Sequence, residues 1–171
     1  MSKQKQLMWT RYYNEASEQQ KQRYALQPEP DILSFASISG KPNGLYMSID
    51  DDWIRWVRTH GAGLNVCYTH KKHLLNPADF FVLEITEDAI ARYARPIPIP
   101  MLQGFKYIDW QLVRDVGYDG VHVPQEMINA SMHLFHRYGV QLGTFDVETL
   151  VLWTAKEKVW STSVAIHSGK I

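Results

Sequence analysis

Apolar and polar positions alternate most clearly between residues 32 and 60, where "ILSFASIS" and "LYMSI" read as two strands joined by "GKPNG". The Asn-Gly pair in that joint is strong hairpin chemistry. Ser48 or Asp50 is then placed to cap a helix whose apolar face is Trp53, Ile54, Trp56 and Val57. Acids lie near the positive N-terminal end of that helix, and "GAG" at 61–63 is its stop. "FFVLEI" (80–85) is a continuous apolar run of strand length, and "TEDAIARYA" after it predicts a helix with Thr86 as N-cap, ended by "RPIPIP". "IDWQLVRDVG" predicts a short helix closed by Gly117, "YDGVHV" a strand, and "PQEMINASMHLFHRYG" one helix with Pro124 in its first turn. "VETLVLW" (147–153) is the clearest late strand, and "VWSTSVAI" reads as an edge strand.

The first 28 residues differ from this pattern. They are polar and rich in Gln and Lys, and "ASEQQKQRYAL" has the composition of a helix with a thin apolar stripe. "PEPD" breaks the segment, because a proline biases its predecessor away from helix. The division expected is therefore a helical segment over 1–28 and a domain over 29–171, with the compact core starting at Ile32. Strands and helices are interspersed irregularly, which predicts an α+β domain rather than a regular βαβ series.

Composition narrows the function classes. Of 171 residues, 45% are apolar and 12% aromatic, a globular profile. Lys plus Arg balance Asp plus Glu at 18 each, so no whole-protein field attracts a polyanion or an acidic membrane surface. One cysteine, Cys67, suits a reducing compartment, no apolar run is long enough to span a bilayer, and "MSKQKQ" lacks the apolar core of a signal peptide. The expectation is a cytoplasmic protein without a membrane partner.

Common motifs are missing. "HGAGLNV" has glycines at 61 and 63 but valine at 66, so the third glycine of a dinucleotide fingerprint is absent. There is no GxxxxGK[ST] phosphate loop and no GxSxG elbow. "HKKH" spaces His70 and His73 three apart without a matched third ligand; it reads as a solvated basic loop, and no metal is expected.

Three segments remain, in the order "FASISGKPNGLYMSIDDDWIRWV", "GYDGVHV" and "FDVETLVLWTAKEKV". Together, over about residues 32 to 158, they resemble the ADP-ribosyltransferase family, which includes bacterial toxins, poly(ADP-ribose) polymerases and phage-borne enzymes. Gly44, Leu45, Tyr46, Met47 and Ser48 match its G-[IL]-Y-x-[AS] strand, and Gly117 to Val121 match a "GYDGV" strand of smaller members. Glu148 to Trp153 match a last core strand that opens with the catalytic glutamate. The resemblance implies a split β-sandwich with flanking helices and NAD as substrate. It also implies transfer of ADP-ribose to a macromolecular acceptor, protein or nucleic acid, with nicotinamide as leaving group and no metal.

By the same resemblance Tyr46 stacks on nicotinamide, Glu148 opposes the positive charge that develops on the ribose, and Gly44, Leu45 and Ser48 line the cofactor site. Trp53 and Trp56 lie on the helix where the family places a second aromatic. The family also carries His or Arg on its opening strand; "LSFASIS" has neither, which leaves Ser37 or Ser39, or Lys41 nearby, as the ligand contact. Plainer roles stay open: Glu148 as the exposed first residue of a strand, Tyr46 hydroxyl as a core hydrogen-bond donor, Asp146 as a turn cap rather than an orienting acid, Asp119 as turn chemistry, and Asp50 to Asp52 as a helix N-terminus. Water in place of the acceptor would make the chain an NAD glycohydrolase. Without catalysis it would be an ADP-ribosyltransferase-like module binding protein or nucleic acid, with Arg58, Lys71 and Lys72 as a local basic patch. A phage effector acting in a bacterial host is the setting that the resemblance implies.

Overall fold

A computed structural model of the chain describes residues 6–14, 18–20, 40–61, 68–154, 156–161 and 164–165. The strands are β1 (Trp9–Tyr13), β2 (Leu45–Ile49), β3 (His70–His73), β4 (Val82–Glu84), β5 (Ala94–Pro96), β6 (Lys106–Ile108), β7 (Gly120–Val123), β8 (Thr149–Leu152) and β9 (Val164–Ala165). Seven of them form one sheet in the order β4-β7-β8-β2-β1-β3-β9. Among the described strands of this sheet only β4 and β7 pair in parallel, so the sheet is mixed, and β5 and β6 form a separate antiparallel ribbon. The helices are α1 (Asp52–His60), α2 (Glu87–Tyr93), α3 (Trp110–Asp115), α4 (Gln125–Asn129) and α5 (Ser131–Tyr138). The whole is one small α+β domain.

Helix ends follow local chemistry. Thr86 Oγ1 accepts from Ala89 N at 3.2 Å and starts α2, while Asp109 Oδ1 accepts from Leu112 N at 3.0 Å and starts α3. At the other end, Gly139, with φ of 72°, closes α5 in the left-handed conformation that glycine adopts without a Cβ clash. In α1 the buried residues are Ile54 and Val57, and the helix stops at His60 with Gly61 as its C-cap.

Side chains alternate across a strand, so the antiparallel registers sort residues by face. Tyr46 pairs with Val151 and Ser48 with Thr149, whereas Leu45 pairs with Leu152 and Met47 with Leu150. Two cores result. Val121, Val123 and Val151 pack with Ile90, Trp110, Leu134 and Phe145 on one side. Leu45, Met47, Leu150 and Leu152 pack with Leu74, Phe80 and Trp160 on the other. Close approach of β7 to β8 depends on Gly120, where a Cβ would lie 2.2 Å from the Val151 carbonyl oxygen.

Several expectations are corrected here. Trp9–Tyr13, expected within a helical N-terminal segment, form a strand between β2 and β3, although residues 18–20 are helical. "HKKH" is not a solvated loop but β3, and Lys72 is only 5% exposed. Alternation along β3 sends His70 and His73 to opposite faces. "PQEMINASMHLFHRYG" breaks at Ala130 into two helices, and residues 94–96 and 106–108 form strands not read from the sequence. The expected "ILSFASIS" strand lies outside the described residues, but β2 already has neighbours, β1 and β8, on both edges.

Lys72 is buried because it has partners. Its Nζ lies 2.8 Å from Glu18 Oε1, and Arg11 Nε donates to Glu18 Oε2 at 2.7 Å. All three residues are 6% exposed or less. Burial works to push the Glu18 carboxyl up, but the Arg11 and Lys72 charges outweigh it and hold the group below the ordinary carboxylate range. The stability this supplies is present above the unfolded-state pKa and is lost as pH falls through the lower folded-state value. Glu18→Gln leaves two buried cations without a counter-charge and is expected to cost about 3 to 5 kcal/mol at neutral pH. In denaturant titrations, that loss should shrink as the pH is lowered into the acid range. Gly120→Ala is expected to destabilise by about 1 to 3 kcal/mol through overpacking against β8, again read by denaturant titration.

Candidate functional site

β1 pairs with β2 only at Trp9↔Ile49 and Thr10↔Ser48, yet continues beside β3 to Tyr13. Where the β1–β2 ladder ends, Arg11 Nη1 donates to the Tyr46 carbonyl at 2.9 Å. The splay opens a cavity of about 520 Å³, within the size range of small-molecule sites. Its floor includes Thr10, Tyr12, Tyr46, Ser48 and Thr149, with Arg11 at the splay. Lys41, Phe145 and Asp146 form one wall, and Trp53 and Tyr68 another.

Hydrogen bonds hold most of these rings. Tyr46 hydroxyl donates to the Pro42 carbonyl, and burial pushes its pKa far above the ordinary tyrosine value. Tyr12 hydroxyl donates to Asp51, and burial together with that carboxylate keeps it protonated as well. Trp53 Nε1 donates to Tyr68 hydroxyl at 2.8 Å, and Trp53 N donates to Ser48 Oγ at 3.3 Å. Tyr46 and Tyr12 are therefore ring surfaces and neutral hydroxyls rather than phenolate bases. Lys41 Nζ sits 5.4 Å from the centroid of the Phe145 ring. Burial lowers its pKa, partly opposed by the Asp146 carboxylate.

The structure brings Lys41, Tyr46, Ser48 and Trp53 together at this cavity and leaves other expected residues elsewhere. Glu148 is one of them. It belongs with Leu150 on the opposite face, where its Oε1 meets His122 Nε2 at 2.8 Å. His122 is in turn edge-on to Trp9, ring centroids 5.2 Å apart, and its Nδ1 is 4.0 Å from Glu84 Oε2. Leu45 is fully buried in the second core, and at Gly44 a Cβ would lie 2.7 Å from the Leu152 carbonyl oxygen, so these two shape the β2–β8 contact. Trp56 is stacked between Trp53 and His60, at 5.3 and 5.0 Å. Ser37 and Ser39 lie outside the described residues. Lys72, expected in a basic surface patch, is taken up by Glu18.

Arg11 is the residue the sequence reading missed at this site. Its signal was "WTRYY", a β-branched and aromatic run within a segment read as helix. Among the described residues no cluster of His, Cys, Asp and Glu could hold a metal ion, and no helix is long and apolar enough to cross a membrane. Comparisons of the chain with protein-family models, curated proteins and solved structures returned no match.

Because the Lys41 pKa is lowered by burial, the unfolded chain binds this proton more tightly, and stability rises with pH toward the ordinary lysine range. Lys41→Met is expected to melt no lower than wild type at neutral pH. The difference between the two should narrow as the pH is raised, in parallel thermal scans.

Proposed function

We propose that the chain transfers ADP-ribose from NAD to a macromolecular acceptor, and that NAD occupies the cavity beside β2. One arrangement supports the reading: Lys41, Tyr46 and Asp146, an amine, a flat ring and a carboxylate, line the same cavity. The resemblance asks for a cation on the strand that opens the site. In this chain Lys41, on the cavity wall, offers that cation to the NAD diphosphate. Tyr46 and Trp53 offer ring faces to nicotinamide, which is attracted to them by stacking and cation-π interaction worth about 0.5 to 2 kcal/mol.

Breakage of the glycosidic bond sends its electron pair to the nicotinamide nitrogen and leaves a ribosyl cation. A carboxylate at the cavity wall opposes that charge, and acceptor attack on the same carbon completes the transfer. In this reading the carboxylate is Asp146, and Glu148 orients His122 on the far face. Water in the acceptor's place gives NAD hydrolysis by the same steps. The position of Glu148, turned away from the cavity and bonded to His122, favours a second reading in which an ADP-ribosyltransferase-like module binds its ligand without turnover.

Nicotinamide release from NAD, measured with and without a bacterial lysate as acceptor source, tests the assignment. Wild type is expected to release nicotinamide faster with lysate, Asp146→Asn to lose about a hundredfold or more, and Glu148→Gln to keep most of the activity. Release that survives Asp146→Asn removes Asp146 from this role. NAD binding without release gives the second reading, and no binding at millimolar NAD overturns both.

A further inference from the structure

Among the described residues, Lys41 and Lys72 are both drawn out of bulk water, and the fold treats them differently. Lys72 is almost fully buried against the Glu18 carboxylate. Lys41 is half-buried at the cavity, and among the described residues no carboxylate forms an ion pair with it. Its backbone is fixed on both sides. Trp110, itself 1% exposed, donates from Nε1 to the Gly40 carbonyl at 2.7 Å, and Tyr46 hydroxyl donates to the Pro42 carbonyl. Gly40, at φ of 70°, holds the turn that precedes Lys41. The side chain is thus delivered to the wall shared with Phe145 and Asp146 rather than left on a mobile surface loop.

We propose that Lys41 is a nucleophilic amine that condenses with the aldehyde carbon of an open-chain sugar held in this cavity. The amine lone pair adds to the carbonyl carbon and the carbonyl oxygen takes up a proton. The carbinolamine then loses water to leave an imine, so no oxidant or reductant is needed. Asp146, on the same wall, is placed to accept the proton shed by nitrogen and to return it to the leaving hydroxyl. The Tyr46 and Trp53 rings give the sugar an apolar surface. Desolvation beside Phe145 supplies the remaining requirement, since an amine reacts only when neutral and burial disfavours its charged form. ADP-ribose fits the class, because its anomeric carbon opens to an aldehyde once nicotinamide has left. That ligand rests on the transferase reading, whereas ribose 5-phosphate does not.

The test incubates the full chain with ribose 5-phosphate or with ADP-ribose and cyanoborohydride, which reduces an imine to a stable secondary amine, followed by peptide mass mapping. NAD binding is measured separately by equilibrium dialysis. Burial leaves more of Lys41 in the neutral form at a fixed pH, so Lys41 is expected to carry the dominant adduct and to be modified faster than Lys71, Lys106 or Lys156. Lys41→Arg should remove that adduct and leave the others, and Asp146→Asn should slow it, with thermal scans showing that both variants fold. Wild-type mapping needs no variant and decides alone: adducts spread evenly over the lysines with both sugars overturn the proposal. NAD bound with even labelling leaves the transferase reading standing and this one fallen. Selective Lys41 labelling by ribose 5-phosphate without NAD binding gives the reverse.

Discussion

A carboxylate held between two buried cations, Glu18 between Arg11 and Lys72, sets the geometry on which the cavity side of the sheet depends. Desolvating three charges is unfavourable unless their contacts are close and well directed, and here both are at 2.7 to 2.8 Å. Arg11 and Lys72 face each other across β1 and β3, so the network clamps that pair and ties the helical residues 18–20 to it. Arg11 also reaches across to the Tyr46 carbonyl. The same side chain therefore bridges β1 and β2 at the point where their backbone ladder stops, and the cavity opens beside it.

The second constraint is the two-residue period of a strand. Once Tyr46 is opposite Val151, Thr149 must share the Tyr46 face, and Glu148 must turn to the other. No side-chain preference of Glu148 itself enters. Asp146 escapes the rule because the chain bends at Val147 before regular alternation begins at Thr149, which returns the earlier acid to the cavity side. Two acids two positions apart thus reach opposite faces.

These constraints explain which parts of the molecule were legible in the sequence. Helix ends with their own chemistry were: Thr86 caps α2, Gly61 ends α1, and the strands at 120–123 and 149–152 carry dense apolar runs. The pocket wall at Tyr46 and Trp53 was legible for the same reason, as ring-bearing positions on a strand and the helix after it. What failed depended on tertiary partners. Lys71 and Lys72 looked like solvated loop until Glu18, more than fifty positions away, neutralised one of them. Trp9–Tyr13 looked like helix because polar neighbours hid an alternation that only β2 and β3 make useful. Pairing Glu148 with Tyr46 required a strand register, and register is fixed by pairing rather than by composition.

Lys41 and Lys72 show two ways in which the domain holds a lysine drawn out of water. For Lys72 the fold supplies a carboxylate at contact distance and aromatic faces, Trp160 at 4.5 Å and Tyr13 at 5.3 Å, so charge and packing are both satisfied internally. Lys41 receives an aromatic face and a carboxylate on its wall but, among the described residues, no ion pair, while its backbone is fixed by two separate donors. Rigid placement with incomplete compensation is unfavourable for the folded chain alone. It is the condition under which a bound ligand gains most, since the ligand meets an oriented group whose interactions have not already been used within the protein. Such groups line the cavity at the β1–β2 splay, which is why the proposed ligand is placed there.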